Sequence, residues 1–170
     1  MNYKRQFIEN TMVFITVVTK NRQNILIDNI SFLREAFKQT KEKYSFEIIA
    51  IIVNYDHFHM IIKPSDITQY PQIVGNIKKT FTQNSKLGYS LNKNRESNVW
   101  QRRYWEHTII DEDDLNKHID YIHYNSVKHY GISPKDWEYS SFRKFVDNGC
   151  YELNWSNFED KYNIKNLNLE

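Results

Sequence analysis

Two histidines separated by one residue are the side chains in this sequence best suited to chemistry. They lie in the segment Asp56-His57-Phe58-His59, at the start of an apolar stretch. Side chains on a β-strand alternate between its faces, so His57 and His59 point one way and Phe58 the other. Two neutral imidazoles at this spacing can chelate a divalent cation. The same pair on a half-exposed strand can equally be solvated surface.

A tyrosine and an asparagine four residues apart form a second candidate group. Tyr121 and Asn125 share one stripe of a helix, and we expect that stripe to be half covered at the border of the buried face. A phenol, whose reference pKa is about 10, is a poor nucleophile at neutral pH, but a nearby cation favours the phenolate. Asn125 could add a carbonyl oxygen to His57 and His59, a mixed ligand set that suits Mg or Mn and leaves positions open for a phosphate. With 12 tyrosines in the chain, a packing role for Tyr121 is the competing interpretation.

A local excess of positive charge between residues 76 and 103 suggests an anionic partner. This stretch has seven basic residues and one acidic residue, a local balance of +6: Lys78, Lys79, Lys86, Lys93, Arg95, Arg102 and Arg103 against Glu96. Four aromatic residues are interleaved or adjacent, Tyr89, Trp100, Tyr104 and Trp105. This mixture is typical of a surface that follows phosphates and stacks on bases, although a solvated helix face with a lysine-rich loop would look the same. Lys128 and His129, one turn beyond Asn125 on the same helix, are further candidate phosphate contacts.

Hydrophobic periodicity predicts the elements that must position these groups. We expect strands over residues 11–19, 46–54, 56–63 and 104–110, and helices over residues 30–44, 68–87 and 111–129. Ser31 and Asp111 are candidate helix caps. The βαββαβ order predicts an α+β, ferredoxin-like antiparallel sheet with helices on one face. The third helix and the tail are additions to that fold, and either could cover the open face or an edge of the sheet.

Length and composition fit one globular domain. The chain has 170 residues, 40% of them hydrophobic, and a net charge of +2. We expect one domain over residues 1–170, with a core at about 11–130 and a C-terminal extension at about 131–170 that packs through its aromatic residues and frays at its end. The single Cys150 argues against a disulfide framework and a cysteine-ligated zinc site. No apolar run reaches the roughly 18 residues of a membrane span, and no signal peptide is evident, so we expect a cytoplasmic location and no membrane partner.

The ordered motifs resemble those of a known group of enzymes. DHFH before an apolar strand is similar to the HUH motif, histidine-hydrophobic-histidine, of single-tyrosine transposases and relaxase-like nucleases. The segment WQRRYWEHTIIDEDDLNKHIDYIHYNSVKHY, residues 100–130, resembles a signature of REP-associated tyrosine transposases, as does DWEYSSF at residues 136–142. The resemblance runs from about residue 13 to residue 145.

This resemblance implies an activity and a set of roles. It implies that Tyr121 is the catalytic residue, that His57, His59 and Asn125 hold Mg or Mn, and that single-stranded DNA is nicked and rejoined at hairpin-forming palindromes through a 5′-phosphotyrosine link. The partners it implies are single-stranded DNA hairpins, bound by a monomer or a homodimer. The candidate DNA contacts are Lys78, Lys79, Lys86, Arg102, Arg103 and Lys128.

The sequence differs from the family pattern at two positions, and it also leaves two other functions possible. Ser126 stands where the family usually has Pro, so the helix could run on, and Tyr124 is a second tyrosine that we rank below Tyr121. A non-catalytic hairpin-binding protein and a hydrolase with a metal-activated water are the alternative functions. Of the other histidines, His107 and His118 are lesser candidates for DNA contacts, and His123 is expected on the surface.

Overall fold

A computed structural model describes residues 8–88, 90–93, 97–155 and 163–169. Its four strands and four α-helices follow in the order β1 Val13–Val18, α1 Ile30–Lys43, β2 Phe46–Val53, β3 His57–Pro64, α2 Tyr70–Asn84, β4 Trp105–Thr108, α3 Glu112–Tyr130 and α4 Phe142–Asp147. All seven predicted elements are therefore present, with ends that differ by at most three residues. The cap of α1 is an exception to the prediction, because Asn29 rather than Ser31 precedes that helix.

The four strands form one antiparallel sheet in the order β2-β3-β1-β4. This order, with β1 and β3 in the centre, is the one that the ferredoxin-like prediction requires. The β1–β3 register places Thr16 opposite His59 and Val18 opposite His57. The β1–β4 register places Thr16 opposite Trp105 as well. The histidine pair is therefore in the middle of the sheet.

Each face of the sheet carries its own hydrophobic core. Phe58, Met60 and Ile62 pack in the core formed with α1 and α2, as the strand alternation predicts. Phe14 and Ile61 lie on the other face, in a second core with residues of α3. The face that bears the two histidines is thus covered by α3 rather than open. Both cores bury apolar area, the main driving force of folding.

The ends of α3 explain how this long helix reaches across the sheet. Asp111 caps its first turn by accepting a hydrogen bond from the Asp114 backbone N–H at 2.8 Å. Ser126 does not interrupt the helix, and its hydroxyl donates to the Ile132 carbonyl at 2.9 Å. The helix ends at Gly131, which adopts a left-handed conformation with φ 65°, the usual glycine stop signal. The predicted continuation through Ser126 is confirmed.

The C-terminal extension covers one edge of the sheet. The backbone N–H of Val53 donates to the Tyr139 carbonyl at 2.8 Å, and the N–H of Ser141 donates to the Ile51 carbonyl at 2.9 Å. The free side of β2 is therefore hydrogen-bonded to the chain's own extension. Residues 163–169 fold back beside α3, while the expected fraying of the last residues stays a prediction. In the part of the chain that the structure describes, no helix is long and apolar enough to cross a membrane.

Candidate active site

The two histidines of β3 lie side by side between the sheet and α3. Their ring centroids are 4.9 Å apart, and the His59 ring is 5.2 Å from the ring of Tyr121. His57 is 1% exposed and His59 is fully buried. The strand and helix periodicities therefore bring together the residues that the sequence singled out. Their burial exceeds the prediction, since Tyr121 was expected to be half covered and is 1% exposed.

The hydrogen bonds of His59 identify which ring nitrogen carries the proton. The Thr16 hydroxyl donates its hydrogen to the Leu169 carbonyl at 2.7 Å, so towards Nδ1 of His59, 2.8 Å away, it can only accept. Nδ1 of His59 is then the protonated nitrogen, and Nε2 keeps its lone pair. Burial, followed by the positive charge of neighbouring groups, holds the pKa of His59 well below its usual value, so the ring is neutral.

His57 is oriented by the residue before it and by the turn that precedes β3. Nδ1 of His57 donates to the Asp56 carboxylate at 2.5 Å, and Nε2 accepts from the Asn54 side-chain amide at 2.9 Å. Burial alone would raise the pKa of Asp56, but hydrogen bonds and charge interactions with His57 and Arg22 lower it overall. The carboxylate is therefore ionised and fixes the His57 ring with Nε2 directed at Asn54. Carboxylate-to-histidine contacts of this type commonly orient metal-binding imidazoles.

A cluster of unsatisfied polar atoms marks the place where a cation would fit. Among the residues that the structure describes, Nε2 of His59, Oδ1 of Asn54 and Nδ2 of Asn125 are buried without hydrogen-bond partners. One amide group of Asn54 donates both to Nε2 of His57 and, at 2.6 Å, to Oδ1 of Asn125. Nε2 of His57 and Oδ1 of Asn125, two of the expected ligand atoms, thus accept from the same amide group. Nε2 of His59, the third expected ligand atom, has no hydrogen-bond donor. Unpaired buried polar atoms are costly, and a bound divalent cation would satisfy the lone pair on Nε2 of His59, whereas the Nδ2 group of Asn125 needs a hydrogen-bond acceptor. Two imidazole nitrogens and one amide oxygen form a mixed donor set that could hold a divalent cation.

The Tyr121 hydroxyl lies between a lysine and the C-terminal residues. Nζ of Lys128 is 3.5 Å from this hydroxyl and 5.1 Å from the centroid of the Tyr121 ring. The Leu169 backbone N–H donates to the same hydroxyl at 3.3 Å, while the Lys128 ammonium donates to the Leu167 carbonyl at 2.6 Å. Residues 167–169, which we name the tail strap, therefore cover the phenol. The other tyrosine of this segment, Tyr124, is half-buried and packs against the second core, the one that contains residues of α3.

Several residues of this site were missed by the sequence interpretation. Asn54, Thr16 and the tail strap all contact the candidate residues, yet none carries a motif that would have identified it. His129, by contrast, is a candidate phosphate contact from the sequence; it is exposed, and its ring centroid is 5.0 Å from that of His57, which extends the site to the C-terminal end of α3. The only sequence signal for Asn54 was its place in the turn between two predicted strands.

The histidine expected on the surface is buried instead. His123 lies on the opposite side of α3 from the candidate site, with Nε2 2.9 Å from the Ser141 hydroxyl and Nδ1 3.4 Å from that of Tyr151. Burial lowers its pKa to about 3. The surface prediction for His123 is therefore wrong, because the C-terminal extension covers this side of the helix.

A second cluster of titratable side chains lies beside the candidate site. Donor atoms of His107, Asp114 and His118 lie within 4.8 Å of one another, close enough to hold a cation. In this structure they bond to each other: Nε2 of His107 donates to the Asp114 carboxylate at 2.7 Å. Nδ1 of His118 donates to the Asp114 carbonyl at 2.8 Å and is 3.1 Å from its carboxylate.

The basic residues differ in their availability to a ligand. Lys79, Lys86, Arg102 and Arg103 are exposed, and Lys93 is exposed too. Lys78 is half-buried, its ammonium donates to the Gln101 carbonyl at 2.8 Å, and burial lowers its pKa to about 8. Tyr89, Arg95 and Glu96 lie outside the described residues. Lys128 contacts the Tyr121 hydroxyl and the Leu167 carbonyl, as described above.

The antiparallel sheet, with the buried histidine pair and the tyrosine on the covering helix, agrees with the class of protein that the comparisons show, a transposase. The family described as "Transposase IS200 like" matches residues 7–125. The chain belongs to this family, in its branch of REP-associated tyrosine transposases.

Individual relatives match almost the whole chain. The Escherichia coli K12 protein named "REP-associated tyrosine transposase" is 34% identical over 157 residues, which cover 91% of this chain and 90% of that protein. A Haemophilus influenzae relative assigned to the same group is 42% identical over 167 residues, covering 94% and 95%. A solved structure, described as this type of transposase bound to a REP hairpin, matches with a TM-score of 0.81 and 32% identity, over 93% of this chain and 92% of that one.

Proposed function

We propose that this transposase nicks and rejoins single-stranded DNA beside hairpin-forming repeats, with Tyr121 as the nucleophile. The observation that carries the proposal is the meeting of the Tyr121 ring with His59, whose Nε2 lone pair is buried and unpaired. A relative described as bound to a REP hairpin supports hairpin DNA as the partner. The exposed basic residues Lys79, Lys86, Arg102 and Arg103 suit contacts with its phosphates.

The proposed metal centre uses the atoms that converge in the site. His57 and His59 would each offer Nε2 and Asn125 its Oδ1 to Mg or Mn, with the Asn54 amide turning away. A cation bound there would polarise the scissile phosphate and stabilise its charge during the reaction. Thr16 and Asp56 hold the two imidazoles in the tautomers that this role requires.

The proposed reaction is an exchange of one phosphodiester for another. The Tyr121 oxygen attacks the phosphorus and loses its proton to solvent, while the bond to the 3′ oxygen breaks and that oxygen takes up a proton. The product is a 5′-phosphotyrosine and a free 3′-hydroxyl, and attack by a 3′-hydroxyl reverses the step without an external energy source. The Lys128 ammonium, 3.5 Å from the phenol oxygen, favours the phenolate.

The proposal is tested with DNA hairpins taken from palindromic repeats near the gene and labelled at one end. With Mn²⁺, we expect an oligonucleotide labelled at its 3′ end to become covalently attached to the protein. The same oligonucleotide labelled at its 5′ end should instead give a shortened free product. Tyr121→Phe should abolish both products, and EDTA should prevent them.

Tyr124→Phe is the matched control, since it removes a hydroxyl from the same helix and should leave both products unchanged. If neither the full chain nor a chain ending at Asn166 forms an adduct on any such hairpin, the proposed reaction is wrong. Hairpin binding without an adduct would then favour the non-catalytic alternative. Turnover without an adduct would favour the hydrolase.

A further inference from the structure

Trp105 is a large aromatic side chain that remains exposed beside the candidate site. It is the first residue of β4 and is 39% exposed, although its β1 neighbours on this face of the sheet, Phe14 and Thr16, are buried. Its backbone lies opposite Thr16, whose hydroxyl holds His59. Its ring is 5.6 Å from that of Phe14, and Phe14 stacks on His59 at 5.6 Å. The exposed indole is thus separated from the histidine pair by a single aromatic ring.

A ladder of parallel rings supports the Trp105 indole. Trp105 and His107 are stacked with an interplanar angle of 16° and centroids 6.0 Å apart, and His107 stacks on His118 at 13° and 4.7 Å. The Asp114 carboxylate accepts a hydrogen bond from His107 and lies 3.1 Å from Nδ1 of His118. These contacts fix the orientation of both imidazole rings. His118 is buried, so the ladder is anchored in the core. An indole held in this way loses little conformational freedom when a flat ligand stacks on it.

The surroundings of Trp105 favour a nucleotide as that ligand. Arg102 and Arg103 are exposed and precede it by three and two residues, respectively. Aromatic side chains next to basic residues are the usual means of binding single-stranded nucleic acid, because bases stack on the rings while the cations contact phosphates. A base-paired stem offers no free base face except at its end, so an indole platform selects unpaired nucleotides.

We propose that Trp105 is the platform on which an unpaired base stacks, in the single-stranded DNA that flanks the hairpin. This inference rests on the proposed function and deepens it, since it assigns a binding residue for the segment that contains the scissile phosphate. The Trp105–Phe14–His59 contacts place the stacked nucleotide close to that phosphate. Stacking at Trp105 then contributes to the choice of the cleaved strand.

The test measures binding alone, so that it does not depend on cleavage. Tyr121→Phe protein in EDTA is titrated with two oligonucleotides, the same hairpin with and without a single-stranded flank of four nucleotides. Trp105→Ala should weaken binding to the flanked hairpin by about 5- to 150-fold, the range that 1–3 kcal/mol per stacked base represents. Binding to the hairpin without a flank should not change. Trp105→Phe should retain most of the affinity and secures the test if the alanine variant fails to fold.

Ile110→Ala is the matched control, because Ile110 is an exposed apolar residue just beyond the same strand. It should bind both oligonucleotides like the parent. Flanked DNA should also quench the parent's tryptophan fluorescence more than that of Trp105→Phe. The inference is overturned if Trp105→Ala binds both oligonucleotides normally, or if it weakens both equally. If the parent protein does not cleave the DNA at all, the proposed function is contradicted, but the binding result for Trp105 still stands.

Discussion

The backbone N–H of Leu169 donates a hydrogen bond to the hydroxyl of Tyr121 at 3.3 Å. This contact joins the last described residue of the chain to the proposed nucleophile. The strap that makes it also accepts hydrogen bonds from Lys128 and Thr16, through the Leu167 and Leu169 carbonyls. A DNA phosphate and the strap would need the same space in front of the phenol. If Tyr121 attacks DNA as proposed, we expect the strap to leave before the reaction.

Removal of the strap is expected to accelerate adduct formation. A chain that ends at Asn166 loses three hydrogen bonds made by the strap backbone, each worth about 1 kcal/mol, so the rate should rise by of order 100-fold. The measurement is the initial rate of covalent attachment to a 3′-labelled hairpin. Asn168→Ala is the control, because an exposed side chain is changed while all three backbone contacts remain. Equal rates in the parent and the truncated chain would contradict the prediction.

The hydroxyl of Thr16 is expected to tune the affinity for metal. Thr16→Val keeps the shape of the side chain but leaves Nδ1–H of His59 without its acceptor, so the favourable tautomer is no longer fixed. We expect Mn²⁺ affinity, measured by titration calorimetry, to fall by about 10- to 100-fold. Thr19→Val is matched, since the buried Thr19 donates to the Gln23 carbonyl and does not contact His59. A Thr16→Val protein with normal Mn²⁺ affinity would show that the tautomer is set in another way.

Lys128 is expected to set the pH at which cleavage becomes fast. In the chain ending at Asn166, Lys128→Met removes the ammonium beside the Tyr121 hydroxyl, so the phenolate forms only at higher pH. The rising limb of the cleavage rate against pH should move upward, with a lower rate at neutral pH. Lys128→Arg, which keeps the charge, should stay close to the parent. The truncated chain is used because it lacks Leu167, so the substitution cannot act through the hydrogen bond between Lys128 and the strap. An unchanged pH profile in Lys128→Met would contradict the prediction.

The stability of the protein is expected to fall as the pH drops from 7 to 5. The pKa of His123 is about 3 in the folded protein and about 6.5 when unfolded, so the unfolded chain binds more protons between these values. The stabilising contribution is complete above about pH 6.5 and is lost as the pH falls towards 3. His59 acts in the same direction.

Urea unfolding in EDTA at several pH values measures this dependence. His123→Gln retains a polar partner for Ser141 but cannot titrate, so its free energy of unfolding should change less between pH 7 and pH 5. A variant with the same pH dependence as the parent would contradict the assignment to His123.

The sequence predicted this fold well because its elements are set by local periodicity. Alternation along β3 was enough to separate His57 and His59 from Phe58, and a four-residue spacing placed Tyr121 and Asn125 on one stripe of α3. The cap of α3 at Asp111 could also be predicted, since a helix cap depends on residues that are neighbours in the sequence.

The burial of the site could not be read in the same way. It depends on the strap, which contacts α3 over separations of 39 residues, between Lys128 and Leu167, and 48 residues, between Tyr121 and Leu169. No periodicity encodes such a contact. His123 was misassigned for the same reason, because the extension that buries it has no regular pattern. Asn54 sits in a turn, where a polar residue is expected for local reasons and its contact with Asn125 is invisible.

The extension along β2 also limits how this protein can associate with a second copy. An exposed edge strand is a ready template for joining two sheets into one across a dimer. Here the backbone groups of Ile51 and Val53 are already engaged by Tyr139 and Ser141. A neighbouring molecule could not add its strand at this edge without first displacing the chain's own segment. Any assembly that keeps this segment in place must be built through other surfaces.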